Sequence, residues 1–252
     1  MVAMLSVSFN AAAGNGNGNT KDIASWNVLV YLTADNNLDS LTQQDLDELM
    51  AVGSNADMNV LTLVDRYADV AHVYKVEMGS LSELTAPGLS GVEVNMGASG
   101  TLETFMSFVN GNYPADHTLL FFWDHGTPLL GVGKDEHTGT PGESDWLSHA
   151  EVVDALSGMK VDILASDECL QGQIEVVYEY YVRGLQSDYV IGSEGYIGWR
   201  GFPYDAILQH IVDQPEISSK DLSVAIVKEF AALFSKPPYM SEVVTAQAVV
   251  EL

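Results

Sequence analysis

Residues 161–172 read Val161-Asp-Ile-Leu-Ala-Ser-Asp-Glu-Cys-Leu-Gln-Gly172, an apolar run that ends in an acidic turn and carries the only cysteine, Cys169. A second run, Thr118-Leu-Leu-Phe-Phe-Trp-Asp-His-Gly126, has the same order of residue types and ends in His125 and a glycine. The carboxyl ends of parallel strands meet at the same edge of a sheet. If the two runs are neighbouring strands, the thiol and the imidazole therefore lie at one edge.

Strand-like and helix-like patterns alternate along the rest of the chain. The predicted further strands are Trp26–Ala34, Met58–Val64, Ala71–Val76, Asp188–Ser193 and Val243–Val250. The predicted helices follow Leu38 to Met50, Thr101 to Val109, Trp146 to Leu156, Leu170 to Val182, Pro203 to Val212 and Asp221 to Phe234. The alternating run at 71–76 is typical of an edge hairpin strand, and the continuous apolar run at 26–34 of a buried parallel strand. This order predicts an α/β fold with a mostly parallel sheet and helices on both faces.

The length and composition predict one main domain. A chain of 252 residues with 47% hydrophobic composition buries a large core and lies near the upper limit for one α/β domain. Residues 1–20 differ: a short apolar arm with small residues at its end, typical of the second half of a secretory signal, precedes a Gly/Asn linker. We therefore predict an arm and linker at 1–20, one main domain at 21–252, and a secreted or cell-surface protein.

The charge excludes two classes of partner. The formal net charge is −25, and such a surface repels phosphate backbones and anionic lipid headgroups. No apolar run approaches the roughly 18 residues of a membrane helix. Neither nucleic acid nor a membrane is a predicted partner.

Cys169 has two interpretations on spacing alone. A free cysteine has a pKa near 8.5, so only about 3% is thiolate at pH 7, and a neighbouring imidazole or the N-terminus of a helix raises that fraction. Cys169 immediately precedes the helix predicted to start near Leu170, so a reactive nucleophile is one interpretation. The other is a small buried side chain, which is the usual fate of a lone cysteine.

His125 is the histidine best placed to act with Cys169, because it alone follows a strand and precedes a glycine. The remaining histidines lie in other patterns and are predicted to be at the surface or the core edge: His72, His117, His137, His149 and His210. Backbone N–H groups of Gly126 and Cys169 could face a developing oxyanion. No zinc-binding spacing of Cys and His is present, so no metal ligands are predicted.

Asp167 lies two residues before Cys169. Positions two apart share a face in an extended segment, so its carboxylate could line the pocket beside the thiol and receive a cationic side chain. The alternative is an aspartate that caps the turn, and spacing by itself favours the cap.

Taken together, these residues resemble the clostripain-like cysteine peptidases, relatives of the caspases and gingipains. The resemblance runs from about Trp26 to the C-terminus. The matching segments are Val30–Asp39 with Asp45–Leu49, Tyr113–Asp116, Phe122–Gly126, Asp167–Gly172 with Glu175, Gly192–Glu194, Gly198–Trp199 and Pro203–Tyr204.

The resemblance implies a caspase-like three-layer sandwich and a cysteine endopeptidase that acts through a His125/Cys169 dyad. It implies cleavage of a peptide or protein substrate after Arg or Lys, with Asp167 as the acidic specificity residue. No cofactor is required for the chemistry, although some relatives depend on calcium, so calcium is a candidate structural or activating ion. A monomer is expected.

Two further expectations concern activation and activity. Some relatives mature by cleavage between the histidine and the cysteine, and residues 127–144 are predicted to form a long mobile loop, so Lys134 is the candidate processing site. Glu168 stands where the family usually has alanine, and a negative charge there would raise the pKa of the thiol. The alternative function is therefore a catalytically silent peptide-binding module on the same fold.

Overall fold

The computed structural model describes residues 23–239 and 247–252 and has a central sheet of eight strands. The strands in chain order are β1 (Ala24–Ala34), β2 (Met58–Arg66), β3 (His72–Glu77), β4 (Ser80–Leu84), β5 (Ala115–Trp123), β6 (Gly126–Thr127), β7 (Gly131–Asp135), β8 (Asp145–Leu147), β9 (Ile163–Asp167), β10 (Tyr189–Ser193) and β11 (Gln247–Glu251). The central sheet has the order β11-β10-β9-β5-β1-β2-β3-β4, and β6, β7 and β8 form a small separate sheet.

The central sheet is mostly parallel, as predicted. Strands β2, β1, β5, β9 and β10 run parallel to one another, whereas β3, β4 and β11 are antiparallel additions at the two sides. The prediction of an edge strand at 71–76 is wrong, because β4 pairs with the outer side of β3 and forms the edge. The N-terminal arm and the first part of the strand predicted at 243–250 lie outside the described residues.

Helices cover both faces of the sheet. They are α1 (Thr42–Val52), α2 (Ser99–Asn112), α3 (His149–Ala155), α4 (Ile174–Arg183), α5 (Tyr204–Asp213) and α6 (Ser219–Phe234). Side chains of α2, α3 and α4 share one core with Leu29 and Tyr31 of β1, and those of α1, α5 and α6 share the other with Val28 and Val30. The apolar run of β1 is continuous because its alternate residues fill two cores. No helix in the described part of the chain is long and apolar enough to cross a membrane.

The register of β5 and β9 places the two quoted runs side by side. Trp123 pairs with Asp167 across these parallel strands. His125 lies two residues after Trp123, and Cys169 lies two residues after Asp167. Both residues are therefore at the same level, just beyond the ends of these strands. The prediction that the two runs are neighbouring strands is confirmed.

The prediction of a helix from Trp146 to Leu156 is wrong in its first part. Trp146 lies in β8 and pairs with Lys134, and helix α3 begins only at His149. Ser148 and Glu151 form a capping box, in which each side chain accepts the backbone N–H of the other residue. This reciprocal cap fixes the start of the helix after Ser148. The prediction of a loop throughout residues 127–144 is also wrong in part, since these residues include β7 and the end of β6.

The helix after the cysteine begins later than predicted. Leu170 has a φ of 67°, a left-handed conformation that a helix cannot contain, and α4 starts only at Ile174. Cys169 is therefore in a turn and not directly at a helix N-terminus. On α4, Val176, Val177 and Tyr180 are buried, while Ile174, Tyr178 and Tyr181 are exposed.

Candidate active site

One cavity of about 870 Å³ lies beyond the carboxyl ends of β5 and β9. All the predicted site residues line it: His125, Gly126, Lys134, Asp167 and Cys169. Much of the remaining wall is aromatic or aliphatic and is provided by Leu38, Leu41, Trp123, Trp146, Tyr196, Ile197 and Trp199. An apolar cavity with a few convergent polar groups is the usual form of a binding site.

His125 is held by a side chain from the neighbouring strand end. Its Nε2 atom lies 2.9 Å from Oδ1 of Asn37, which follows β1. A carboxamide oxygen only accepts hydrogen bonds, so Nε2 donates and Nδ1 is the unprotonated nitrogen of the neutral ring. Burial and the nearby charge of Lys134 lower the pKa of His125. The resting imidazole is therefore neutral at neutral pH.

The sequence patterns did not single out Asn37. The available signal is that Asp35, Asn36 and Asn37 are polar residues at the carboxyl end of a predicted parallel strand. Asn36 stabilises the same region, since its Nδ2 atom donates to Oδ1 of Asp124 and to the carbonyl of Lys134, both at 2.8 Å. The turn after β1 thus supports the segments on both sides of His125.

Cys169 is half-buried in a tight turn. Its pKa is raised, chiefly by burial and to a smaller extent by the charges of Glu168 and Asp167, while the backbone N–H of Ile197 lowers it. Leu170 next to it adopts its left-handed conformation with its N–H bonded to the carbonyl of Gly195 at 3.0 Å. Such a conformation costs on the order of 1–3 kcal/mol and is held in place by surrounding contacts. The cavity thus contains a neutral thiol and a neutral imidazole at rest.

Glu168 points away from the cavity. It is fully buried, and its Oε1 atom accepts the backbone N–H of Gly133 in β7 at 3.0 Å. Burial, followed by the charge of Asp124, raises its pKa well above the ordinary value. A raised pKa favours the protonated form, so Glu168 affects the thiol less than a carboxylate with an ordinary pKa would.

Asp167 is held by residues distant in sequence. Its Oδ2 atom accepts the backbone N–H of Phe202 and the hydroxyl of Tyr204, each at 3.0 Å. Its Oδ1 atom is buried and has no hydrogen-bond partner among the described residues. Burial and the charge of Asp45 raise its pKa to about 7. These contacts differ from those of a local turn cap, and they leave one oxygen of this cavity-lining carboxylate without a donor among the described residues.

A second carboxylate in the same cavity, Asp45 of α1, was not predicted as a site residue. Its Oδ2 atom accepts Nε1–H of Trp123 at 2.6 Å, and its Oδ1 atom lies 3.5 Å from the guanidinium of Arg200. Arg200 also pairs with Glu48. Burial raises the pKa of Asp45 to about 6, and the contacts with Trp123 and Arg200 oppose that effect. Asp45 thus has protein partners for both oxygens, unlike Asp167.

Gly126 is required by close packing. A Cβ atom added there would lie 2.6 Å from Nε2 of Gln171 and 2.7 Å from the carbonyl oxygen of Cys169. The segment after His125 and the turn that carries Cys169 can approach this closely only because residue 126 has no side chain. The oxyanion role of Gly126 and Cys169 stays a prediction.

Lys134 lies within β7 and not in an open loop. Its N–H donates to Asp124, its carbonyl accepts from Asn36, and its ammonium group pairs with Glu136. A peptidase needs an extended, accessible segment, so cleavage here requires β7 to separate from these contacts. The processing site stays a prediction.

A group that could hold a metal ion lies outside this cavity. Asp35, Asp65 and Glu93 each offer a carboxylate oxygen, and these oxygens lie within 4.8 Å of one another. Oxygen donors of this kind are typical ligands of calcium and magnesium.

Comparison with known proteins identifies the family. Residues 30–247 match the model of the clostripain family, peptidase family C11. The chain belongs to the clostripain family. Clostripain of Hathewaya histolytica is 29% identical over 219 residues, which are 73% of this chain and 41% of clostripain. This member of the clostripain family therefore spans well under half of that relative.

Solved structures confirm the caspase-like α/β fold. A secreted C11 cysteine protease from Bacteroides thetaiotaomicron, bound to an irreversible peptide inhibitor, superposes with a TM-score of 0.73 at 20% identity, over 90% of this chain and 66% of that one. An inactive zymogen C11 protease from Parabacteroides distasonis has a TM-score of 0.71 at 23% identity, over 91% and 62%. The clostripain-family chain spans slightly less than two thirds of each.

Proposed function

We propose that this chain is a cysteine endopeptidase that cleaves peptide bonds after Arg or Lys. The observation that carries the proposal is the meeting of His125, Cys169 and Asp167 in one cavity at the register-paired ends of β5 and β9. Membership of the clostripain family supports it.

The chemistry follows from the neutral resting pair. Nδ1 of His125 accepts the thiol proton as Sγ of Cys169 attacks the carbonyl carbon, and the C=O electron pair moves to the oxygen. The backbone N–H groups of Gly126 and Cys169 stabilise this oxyanion. The imidazolium then protonates the leaving amine, and water hydrolyses the thioester with His125 as base. No step needs a cofactor, and calcium has a structural or activating role in this proposal.

Asp167 provides the specificity for a basic residue. Its free Oδ1 atom can accept a guanidinium or ammonium proton, while the apolar walls near Trp123 and Trp199 accommodate the aliphatic stem. Asp45 contributes less to the specificity for a basic residue, because its two carboxylate oxygens already contact Trp123 and Arg200.

A peptide library tests the proposal directly. Peptides that differ only in the residue before the cleaved bond are incubated with the protein, and the products are identified by mass spectrometry. We expect cleavage after Arg and Lys and little cleavage after Gln, Glu or Leu. Cleavage at similar rates whatever residue precedes the cleaved bond would contradict the proposed specificity. The absence of any cleavage would contradict the peptidase activity.

Asn37 acts as a positioning residue for His125. Asn37→Ala removes the acceptor at Nε2, so we expect kcat to fall about tenfold with little change in KM. Asn37→Asp keeps the acceptor and adds a charge that raises the pKa of His125, so activity is retained and the acidic limb of the pH profile moves to higher pH. An unchanged pH profile in Asn37→Asp would show that this contact does not orient the ring.

The second candidate function is a catalytically silent peptide-binding module, which the raised pKa of Cys169 favours. A lysyl peptide with a thiol-reactive ketone separates the two functions. A peptidase adds the peptide mass to Cys169 at neutral pH, because His125 removes the proton during attack. If the protein is a binding module, it binds the peptide reversibly and the mass of the protein stays unchanged.

The surroundings of the protein are part of the proposal. A secreted or cell-surface location is supported by the signal-like pattern of residues 1–13 and by a structural neighbour that is a secreted protease. The substrate is a peptide or protein, the active species is a monomer, and any cleavage at Lys134 follows release of β7.

A further inference from the structure

A buried carboxyl group directly precedes each member of the candidate catalytic pair. Asp124 is the first residue after β5 and comes before His125, and Glu168 is the first residue after β9 and comes before Cys169. Asp124 lines the cavity, but Glu168 is not among the described residues that do so. Any effect of Glu168 on the pair therefore depends on its contacts inside the protein.

The residue that Glu168 contacts, Gly133, forms a bulge in β7. Val132 pairs with Leu147 and Lys134 pairs with Trp146, so Gly133 is an extra residue opposite the described strand β8. Its φ of 61° lies in the left-handed region that favours glycine. The extra residue of a bulge is left out of the ladder, so the N–H group of Gly133 can bond elsewhere.

This N–H group links the two segments that carry the pair. Its nitrogen lies 3.2 Å from the carbonyl oxygen of His125 and 3.0 Å from Oε1 of Glu168. One donor shared by two acceptors forms a three-centre hydrogen bond. The first acceptor belongs to the candidate general base itself, and the second belongs to the residue before the candidate nucleophile. A single backbone group therefore holds both segments.

Other contacts hold β7 more firmly on the histidine side than on the cysteine side. On the histidine side, β6 pairs with β7, and Asp124 accepts the N–H of Lys134. On the cysteine side, Nε2 of Gln171 lies 3.4 Å from the carbonyl oxygen of Gly131, which is long for a hydrogen bond. The contact of Glu168 is shorter, at 3.0 Å. Glu168 is therefore the main link between β7 and the turn that contains the cysteine.

We propose that Glu168 is a positioning residue that holds the thiol of Cys169 in register with the imidazole of His125, through the N–H group of Gly133. The inference rests on the proposed peptidase function and deepens it. Proton transfer needs the two groups within hydrogen-bond reach, and a misplacement of about 1 Å can cost about a hundredfold in rate. The hydrogen bond needs an oxygen acceptor, whether or not that acceptor is charged. Glu168 thus supports the reaction that its charge alone would impair.

Two substitutions of similar size isolate the acceptor. Glu168→Gln keeps an oxygen acceptor, Glu168→Met does not, and both remove any negative charge. For a lysyl peptide, we expect kcat to stay within about twofold of wild type in Glu168→Gln and to fall about tenfold to thirtyfold in Glu168→Met. KM should change little in either variant, because Asp167 and the apolar walls are unaltered. Steady-state kinetics measures both constants.

Thermal unfolding separates positioning from a merely structural role. Glu168→Met replaces a buried carboxyl group, one of whose oxygens has no hydrogen-bond partner among the described residues, by an apolar side chain of similar size. Such a replacement is often neutral or stabilising, so Tm should stay near or above that of wild type while kcat falls. Glu168→Ala also lacks the acceptor and is sterically undemanding, so the same fall in kcat is expected there, and this variant serves if Glu168→Met does not fold.

Alkylation of Cys169 by iodoacetamide at pH 7 is a readout that needs no peptide. His125→Ala gives the rate without the assisting imidazole. We expect Glu168→Gln to react like the wild type and Glu168→Met to be slowed towards the rate of His125→Ala. The loss of negative charge by itself has the opposite sign, because it lowers the pKa of the thiol and would speed alkylation in both variants.

Three outcomes would overturn the inference: wild-type kcat and alkylation in Glu168→Met, an equal loss in Glu168→Gln and Glu168→Met, or losses of activity that only follow losses in Tm. A wild-type protein that hydrolyses no peptide, but whose alkylation slows in Glu168→Met, would refute the proposed function and leave the positioning role in place. Hydrolysis by the wild type that is unchanged in Glu168→Met would do the reverse.

Discussion

Cys169→Ala is expected to lower kcat for hydrolysis of Arg or Lys peptides by at least about 10⁴-fold, because no other group in the cavity can form the thioester. The described cavity wall includes hydroxyl and carboxyl groups, but Cys169 is the only cysteine of the chain. Steady-state hydrolysis of a fluorogenic lysyl peptide measures the loss. KM is a less direct readout, since substrate binding depends on Asp167 and the apolar walls.

Structural controls make this result interpretable. The replacement removes one half-buried sulfur, so Tm and reversible binding of a lysyl peptide should stay close to wild type. Hydrolysis that persists at more than one hundredth of the wild-type rate in Cys169→Ala would show that the thiol is not the nucleophile. The protein would then be a hydrolase of another kind on this fold.

Asp167→Asn is expected to lower kcat/KM for Arg and Lys peptides by about a hundredfold to a thousandfold, or about 3 to 4 kcal/mol, because a buried cationic side chain loses its countercharge. Hydrolysis of a citrulline peptide, which has the shape of arginine without its charge, should change much less. The ratio of kcat/KM for the arginine and citrulline peptides isolates the contribution of Asp167 from that of the catalytic pair. An unchanged ratio in Asp167→Asn would place the specificity elsewhere.

The same ratio should depend on pH in a defined direction. The pKa of Asp167 is raised from 3.8 to about 7, so the carboxylate is present above that pH and is lost as pH falls through it. The preference for arginine over citrulline should therefore rise with pH through about 7 in wild type and stay flat in Asp167→Asn. Stability should show the opposite trend: the folded protein holds this proton between pH 3.8 and about 7, so the contribution of Asp167 to the free energy of unfolding falls as pH rises through that window.

The sequence predicted the sheet well, and also the edge of the sheet at which the candidate catalytic residues lie, because both depend on local patterns. Apolar runs at Trp26, Thr118 and Val161 identify buried strands, and the polar residues after them mark the carboxyl ends. Parallel pairing then brings His125 and Cys169 together without knowledge of any side-chain contact. The ends of helices were predicted less well where the conformation of one residue decides them. Leu170 has a left-handed conformation, so α4 can begin only after it.

The sequence patterns did not predict contacts between segments that are distant in sequence. Asn37 reaches His125 across 88 positions, and Asp167 is held by Tyr204 across 37. Spacing favoured a turn cap at Asp167 because a local cap needs only neighbouring backbone. Whether Asp167 caps a turn or lines the cavity depends on which hydrogen-bond donors the folded chain places near each of its carboxylate oxygens.

The sequence by itself therefore determined the layered α/β fold and the edge at which the candidate catalytic pair lies, since hydrophobic periodicity and strand order act locally. Only the tertiary structure decided the state of the charged groups. Burial raises the pKa of Glu168, Trp123 and Arg200 contact the two oxygens of Asp45, and among the described residues one oxygen of Asp167 and both of Asp65 have no hydrogen-bond donor. Desolvation and pairing are properties of the packed interior, and no pattern along the chain specifies them.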